Sequence, residues 1–344
     1  MLELNGKSQW QHYLPQSFLR GLATSAGEVW RYDRVTAEMK PLPPKVIGAE
    51  RDLYTLVTGE EVSHEIENKW FNPVDGPFLP IFRKIQSKEQ LGASDVLNVA
   101  NFVAYFRVRT PASIREAEMT MKQLESLLPD HRDSVKYHSE PKPPNPESTP
   151  ESFILKQERA DDVDASRGES RIRNEVLRML VSNGIELSRG LVQLEWSFLF
   201  VARGRAFILG DNPFVIAPPA DHDVELTGVG PFTPGAAVFV PLSRETCVRL
   251  TSPGQSRSLE KRVGSDEVRA INACQVLNSE RYIFGHSENL LRRVIDEFVK
   301  TSGLNPAKAV MREAVNDRDA LKSLVHFFTR SKIGAEWALG LPMN

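Results

Sequence analysis

The sequence predicts an α+β fold: a helix-rich front half, a small antiparallel sheet, and C-terminal helices. Three observations carry this. Val96, Val99, Val103 and Phe106 recur at helical spacing in the front half. Between residues 194 and 251 the texture changes to short apolar runs separated by glycine, proline and paired charges, as in hairpins. From Ser265 onward the helical period returns. The 344 residues include 43 basic and 45 acidic side chains and 41% apolar ones. That balance excludes a disordered chain, a collagen-like chain and a strongly basic nucleic-acid coat, and it leaves room for a local basic groove. A chain of this length buries enough surface to fold without disulfides or a structural metal.

In chain order, Pro15 opens a short helix to Leu22, where its missing N–H costs nothing. Glu28–Asp33 alternates as a strand, and Pro41, Pro43 and Pro44 break regular structure. Val62, Ile66 and Trp70 predict a helix over 60–70, interrupted by Asn72-Pro73 and Asp75-Gly76-Pro77 and resumed over 77–85. Ser94 caps a helix over 95–109, which Thr110-Pro111 ends, and another follows over 112–128. Residues 140–150 hold five prolines in eleven positions and read as linker, with charged sequence continuing to Ser170. Arg171–Gly184 is a basic amphipathic helix. Leu194–Ala202 and Ala206–Leu209 read as a hairpin around Arg203-Gly204-Arg205, and Ala237–Val240 and Cys247–Thr251 as another. A helix capped at Ser265 or Asp266, a strand at Tyr282–Gly285 and a helix from Asn289 complete the chain. The organisation is a helix-rich part over 1–138, a Pro-rich, charged linker or loop excursion over 139–170, and an α+β part over 171–344 that shares one core with the first.

No basic segment followed by an apolar core opens the chain, so no secretory signal is expected. The longest apolar run, near Phe198–Ala202, falls far short of the roughly 20 residues of a membrane helix. The expectation is a cytoplasmic protein, with Cys247 and Cys274 as buried thiols. No C-x-x-C or H-E-x-x-H occurs.

Five segments carry residue types suited to chemistry, each with a structural reading beside it. In His12-Tyr13-Leu14-Pro15-Gln16-Ser17-Phe18-Leu19-Arg20, Gln16 and Arg20 share a helix face, and His12 precedes the helix N-terminus, which favours the neutral imidazole. The structural alternative pairs Arg20 with Glu50 or Asp52. Glu60, His64 and Glu67 form one stripe on the expected helix, a spacing within reach of one metal ion and equally common on a solvated face. Arg109 is either a clamp for phosphate or carboxylate or a helix-end charge. Asp211-Asn212-Pro213 follows a strand directly, where an acid serves as base or metal ligand or simply caps the turn, and Gly210 admits a close backbone or ligand. Asp221-His222-Asp223 has metal-ligand residue types in a loop.

The order of these segments resembles an uncharacterised, mainly bacterial family catalogued as domain of unknown function 4238. The residues that carry the likeness are His12–Arg20, Val29–Asp33, Glu60–Glu67, Arg109-Thr110-Pro111, Asp211-Asn212-Pro213 and Pro241-Leu242-Ser243. Family members place Ser or Thr ahead of D-N-P, where this chain has Leu209-Gly210. The resemblance implies a shared fold and a bacterial or phage source, and no activity.

The leading expectation is an enzyme in which His12, Gln16, Arg20, Glu67, Arg109 and Asp211 meet in one cleft. His12, Asp211 and Glu67 would do the chemistry, with a divalent metal as a cofactor option. Gln16, Arg20, Arg109 and Asn212 would hold an anionic small molecule or nucleic acid. The reaction expected is phosphoester hydrolysis, on nucleic acid or nucleotide. The rivals are a non-catalytic binder or sensor of an anionic ligand, and a polar network that serves structure alone.

Overall fold

The computed structural model describes residues 9–59, 61–127, 165–219, 229–254 and 259–302. The fold is mixed α+β with several small sheets. The front of the chain supplies β1 (Trp10–His12), α1 (Gln16–Leu19), β2 (Val29–Asp33), β3 (Met39–Leu42), β4 (Ala49–Arg51), β5 (Leu56–Thr58) and β6 (Glu61–Ser63). Four helices follow: α2 (Asn72–Ser87), α3 (Ala93–Val108), α4 (Pro111–Leu127) and α5 (Ala165–Leu191). The rest is β7 (Glu195–Val201), β8 (Leu209–Gly210), β9 (Val215–Ala217), β10 (Ala237–Pro241), β11 (Thr246–Thr251), β12 (Glu260–Val263), α6 (Ser265–Asn278), β13 (Tyr282–Gly285) and α7 (Glu288–Ser302).

Two sheets organise these elements. One has the order β12-β7-β11-β10-β9, the other β3-β2-β13-β8, and β1-β4 and β5-β6 are separate pairs. All pairings are antiparallel except β12 on β7. The four-stranded sheet joins the two ends of the described chain, with Tyr282 opposite Asp33 and Gly285 opposite Trp30. The largest core cluster likewise mixes α1, α2, α3 and α5 with β10 and β11. Phe18 sits edge-on to Phe102 at 5.7 Å, and Phe102 stacks on Phe78 at 3.7 Å. Helix α5 crosses α3 at Gly184, where a Cβ would come within 2.7 Å of the Tyr105 ring. The glycine therefore permits the close approach, and the helix runs through it instead of ending there.

One face of α6 grips the segment around β8. Asn272 accepts from the Ile208 N–H at 3.0 Å and donates to the Ala206 carbonyl at 3.1 Å. Gln275 accepts from Gly210 and donates to Pro213, both at 2.9 Å. Asn278 donates to the carbonyls of Asn212 at 2.6 Å and Phe214 at 3.2 Å. The three amides stand at i, i+3 and i+6, one helix face. They satisfy backbone groups that a two-residue strand leaves over. Gly210 is required here: a Cβ would lie 2.9 Å from the Gln275 carbonyl oxygen and 2.8 Å from the Ser279 hydroxyl. The close approach expected at this glycine is made by the helix backbone.

Several local expectations are corrected. Val62 belongs to β6, which pairs with β5 across Gly59 at φ +62°, so no helix spans 60–70 and the Glu60, His64, Glu67 stripe is not formed on one; Glu60 lies outside the described residues. The helix instead starts at Glu65, passes through a π turn (Glu67–Phe71) and continues as α2. Pro73 lies in the first turn of α2, and Pro77 and Pro80 lie inside it without breaking it; Pro73 and Pro80 are exposed, and Pro77 is half-buried beside the stripe of Phe78, Ile81, Phe82 and Ile85. Carbonyls freed on that side can be met by water. The cap of α3 is Gly92, whose N–H is accepted by Asp95 at 3.0 Å, and not Ser94. The expected β7–β8 hairpin does not form: β7 has both edges taken, by β11 and β12, and the chain crosses at 202–208 into the other sheet. Residues 165–170 of the expected linker belong to α5, and the rest of it lies outside the described residues, as do Asp221-His222-Asp223 and everything beyond residue 302. Among the described residues no helix is long and apolar enough to cross a membrane. Cys247 and Cys274 are buried free thiols.

The amide face gives the first prediction. Asn272→Leu strands the Ile208 N–H and the Ala206 carbonyl in the interior, at about 1–3 kcal/mol for each group. The urea midpoint should fall accordingly with an unchanged slope. A midpoint within error of wild type would show that the clamp contributes nothing.

Candidate functional site

His12 ends β1, opposite Ala49, where the chain turns towards Pro15. Backbone groups of Lys45 and Pro44, in the connection before β4, hydrogen-bond its ring. Its Nε2 is buried and has no partner among the described residues. Nε2 is thus a buried ring nitrogen whose hydrogen-bonding capacity is unused among the described residues. Burial lowers the pKa from 6.5, outweighing those bonds and the charge of Asp75, so the ring is neutral at pH 7.

Asp75, near the start of α2, lies close enough to His12 for each to feel the other's charge. Its Oδ1 accepts from Arg109 Nη1 at 2.8 Å. The Asp75 side chain keeps 21% exposure while that of Arg109 has none. Burial raises the Asp75 pKa, and the charge and hydrogen bond of Arg109 oppose it. The Arg109 guanidinium lies 4.6 Å from the Phe106 ring centre and 5.6 Å from that of Phe102. Its Nε and Nη2 are buried with no hydrogen-bond partner among the described residues, so aromatic faces take their place. The Tyr54 hydroxyl donates to the Arg109 carbonyl at 2.6 Å and fixes the α3–α4 corner.

Glu67 stands at the start of the π turn. Burial raises its pKa, against a hydrogen bond from the Gln11 side chain and the charge of His64. Gln11, fully buried on β1, accepts from the Tyr54 N–H at 2.6 Å and sits 3.3 Å from His64 Nδ1. Gln11, His64, Glu67, Asp75, Arg109 and His12 thus form one connected set of polar groups, held by β1, the π turn and the helix ends.

Asp211 belongs to a neighbouring set. Its Oδ1 accepts from the Glu280 N–H at 2.8 Å, and its Oδ2 from those of Arg281 and Tyr282 at 2.7 Å each. Burial pushes its pKa up to about 6, against the pull of the three N–H groups. The ring of Tyr13, next to His12, is buried close enough to Asp211 to feel its charge. Asn212 donates nothing to that clamp; its carbonyl accepts from Asn278, and its Oδ1 is buried without a partner among the described residues. Ser243, the family-like P-L-S serine, accepts from the Glu245 and Thr246 N–H groups at 3.1 Å each and shapes the β10–β11 turn.

Asp75 thus bonds Arg109 and acts by charge on both His12 and Glu67, while Asp211 and Asn212 belong to the second cluster. Gln16 is half-buried at the start of α1, and Arg20 is exposed. Neither expected partner pairs with Arg20: Asp52 accepts from the Gln9 N–H at 2.9 Å, and Glu50 faces the charges of Arg115, Arg173 and Arg281. Asp75 and Gln11 are the groups that sequence reading passed over. Asp75 was masked by the prolines on either side of it, which read as breakers, although the helix that begins at Glu65 runs through them. Among the described residues no group of three or more His, Cys, Asp or Glu side chains could hold a metal ion.

Two predictions follow from this geometry. Arg109→Ala leaves the Asp75 carboxylate without its cation and should cost about 3–5 kcal/mol, with Asp75→Asn in the same chain recovering a good part of it. A double variant whose loss equals the sum of the losses in Arg109→Ala and Asp75→Asn would mean that the two side chains do not interact. Arg20→Ala should change stability by less than about 0.5 kcal/mol, as for an unpaired surface group. A chemical denaturation series on wild type and these four variants measures both.

Neither a curated protein nor a solved structure matches the chain. A family model does: it spans residues 10–289, from the start of β1 to the first turn of α7, and so covers both polar clusters and both sheets. By that match the chain belongs to the family described as Protein of unknown function (DUF4238).

Proposed function

We propose that the protein is a hydrolase of phosphoesters in which His12 is the general base. The single observation that carries this reading is the buried, unpartnered Nε2 of His12, on a ring whose pKa burial lowers. A neutral histidine with an unused ring nitrogen is suited to take a proton from a water or hydroxyl group bound beside it. Asp75, anchored by Arg109, orients and stabilises the imidazolium that forms. Glu67 is the acid that returns a proton to the leaving group, since burial keeps its carboxyl protonated to higher pH than usual. An anionic ester suits a site whose own turn carries Arg20, exposed and without a carboxylate partner among the described residues.

One observation favours the second reading, a binder or sensor of an anionic ligand. Both oxygens of Asp211 are occupied by backbone N–H groups, which leaves fewer groups to move protons. The experiment separates the two. Bis(p-nitrophenyl) phosphate, a nucleoside triphosphate and an oligonucleotide are offered from pH 5 to 9, with and without Mg²⁺ or Mn²⁺. Turnover should fall by about 10²–10⁴ in His12→Gln. Because the His12 pKa is lowered, the base is lost only as the pH falls through a value below 6.5, and the acid limb of kcat/KM should lie there. Turnover that survives His12→Gln defeats the reading, and calorimetric binding without turnover selects the second.

A further inference from the structure

Four chain segments that are distant in sequence meet at one place on the surface. The Arg244 N–H donates to the Gly21 carbonyl at 3.1 Å, which sets the turn after α1 against the β10–β11 turn. The Phe207 N–H donates to the Arg244 carbonyl at 2.8 Å and the Val201 N–H to that of Glu245 at 3.0 Å, which wraps the β7–β8 crossing around the same turn. The His286 ring, just ahead of α7, feels the charges of Arg244, Glu245 and Arg293.

The charge of these segments is one-sided. Residues 20–22, 202–207, 243–246 and 286–293 contain six arginines and two glutamates. Glu245 pairs with Arg244 at 3.2 Å and Glu288 with Arg292 at 2.6 Å. Arg20, Arg203, Arg205 and Arg293 are all exposed and have no carboxylate partner among the described residues. Four uncompensated positive charges thus gather on a chain whose net charge is −2. The start of α7, a 15-residue helix, adds its partial positive charge at the same place, with Ser287 accepting from the Leu290 N–H at 3.3 Å.

We infer that this surface binds the phosphate backbone of a nucleic acid. The inference goes beyond the catalytic reading, since it shares only Arg20 with that site and holds or fails by binding alone. The chemistry favours a polymer of phosphates. All four free cations are arginines, whose planar fork suits phosphate oxygens, and the set contains no lysine. They come from three separate segments, an arrangement that fits a repeating charge better than a single small anion. A membrane surface fits less well. Among the described residues the exposed large apolar side chains Trp10, Val35, Val46, Met119, Val192, Phe232 and Leu259 all belong to other segments of the chain, so these four segments carry no group of that kind to insert among lipid tails.

The test uses the full chain and a fluorescein-labelled 30-nucleotide single strand and its duplex, with anisotropy read from 50 to 300 mM salt. Wild type should bind, with a slope of log K against log salt of about −3 on the single strand for four neutralised phosphates. Arg203→Gln, Arg205→Gln and Arg293→Gln together should weaken binding at 50 mM salt by about 30-fold or more and flatten the slope to about −1. Removing three exposed cations elsewhere, with Arg51→Gln, Arg83→Gln and Lys122→Gln, should leave both nearly unchanged, and the melting curves of both variants should match wild type. No binding of either probe at 50 mM salt overturns the inference. Equal loss in the two triple variants overturns it too, because net charge and not the surface would then be responsible. Binding to phosphatidylserine vesicles that the first triple variant abolishes, with no binding to DNA, overturns it in favour of a membrane.

Discussion

Three backbone N–H groups converge on the carboxylate of Asp211, and the joining of the two ends of the described chain depends on that convergence. The stretch from the end of α6 to the start of β13 would otherwise bury a row of unpaired backbone groups. Asp211 takes its N–H groups, and Arg34, fully buried, takes its carbonyls, donating to Val276 at 2.9 Å and to Ser279. An anion meets the donors and a cation meets the acceptors of one corner. Desolvating two such charges costs several kcal/mol, and charge-assisted hydrogen bonds offset it only when every lone pair and proton is used. That requirement explains why β13 can start so abruptly after the helix and still pair with β2 and β8. The amide face of α6 completes the arrangement by holding the segment that carries Asp211.

The cleft around His12 follows a different logic. Its one deeply buried charge, Arg109, is surrounded on one side by phenylalanine rings and on the other by Asp75. Fixing the cation in the core fixes the carboxylate at the rim, and the rim carboxylate adds its charge to the dominant effect of burial on His12 and Glu67. Burial moves the histidine down and the two carboxyls up. Groups that would be far apart on the pH scale in water are thereby brought closer together, the condition for sharing a proton near neutrality.

Much of this architecture could be read from the residues alone. The long periodic helices α3 and α4, the break at Thr110-Pro111, the β10–β11 hairpin and the strand at Tyr282–Gly285 all stand where the pattern put them, because each is fixed by local spacing or a local breaker. What escaped was set at long range. Val62 has a helical neighbour pattern with Ile66 and Trp70, yet the left-handed turn at Gly59 and its partner strand decide its conformation. Pro77 and Pro80 read as breakers, and the packing of Phe78, Phe82 and Ile85 overrides them. The β7–β8 crossing was unreadable because nothing in 194–209 announces that both edges of β7 are claimed by strands some 50 residues away. At the site, residue types that suggest chemistry were recognised where they sat on a turn, as His12 and Asp211 did. Their partners could not be assigned, since Asp75 and Arg109 are 34 residues apart and meet only through tertiary packing.

The pairing of β2 with β13 also bears on how the protein is made. The two strands are separated by about 250 residues, and at about 5–20 residues per second the first waits roughly 12–50 s on the ribosome before the second is synthesised. During that interval β2 has β3 on one side and an unpaired row of N–H and C=O groups on the other. Pro41 in β3 removes one donor from the far edge, so the nascent hairpin presents mainly the edge that β13 will later fill. The newborn chain therefore carries a vacancy shaped for its own last described strand, and any segment able to pair there earlier competes with correct folding.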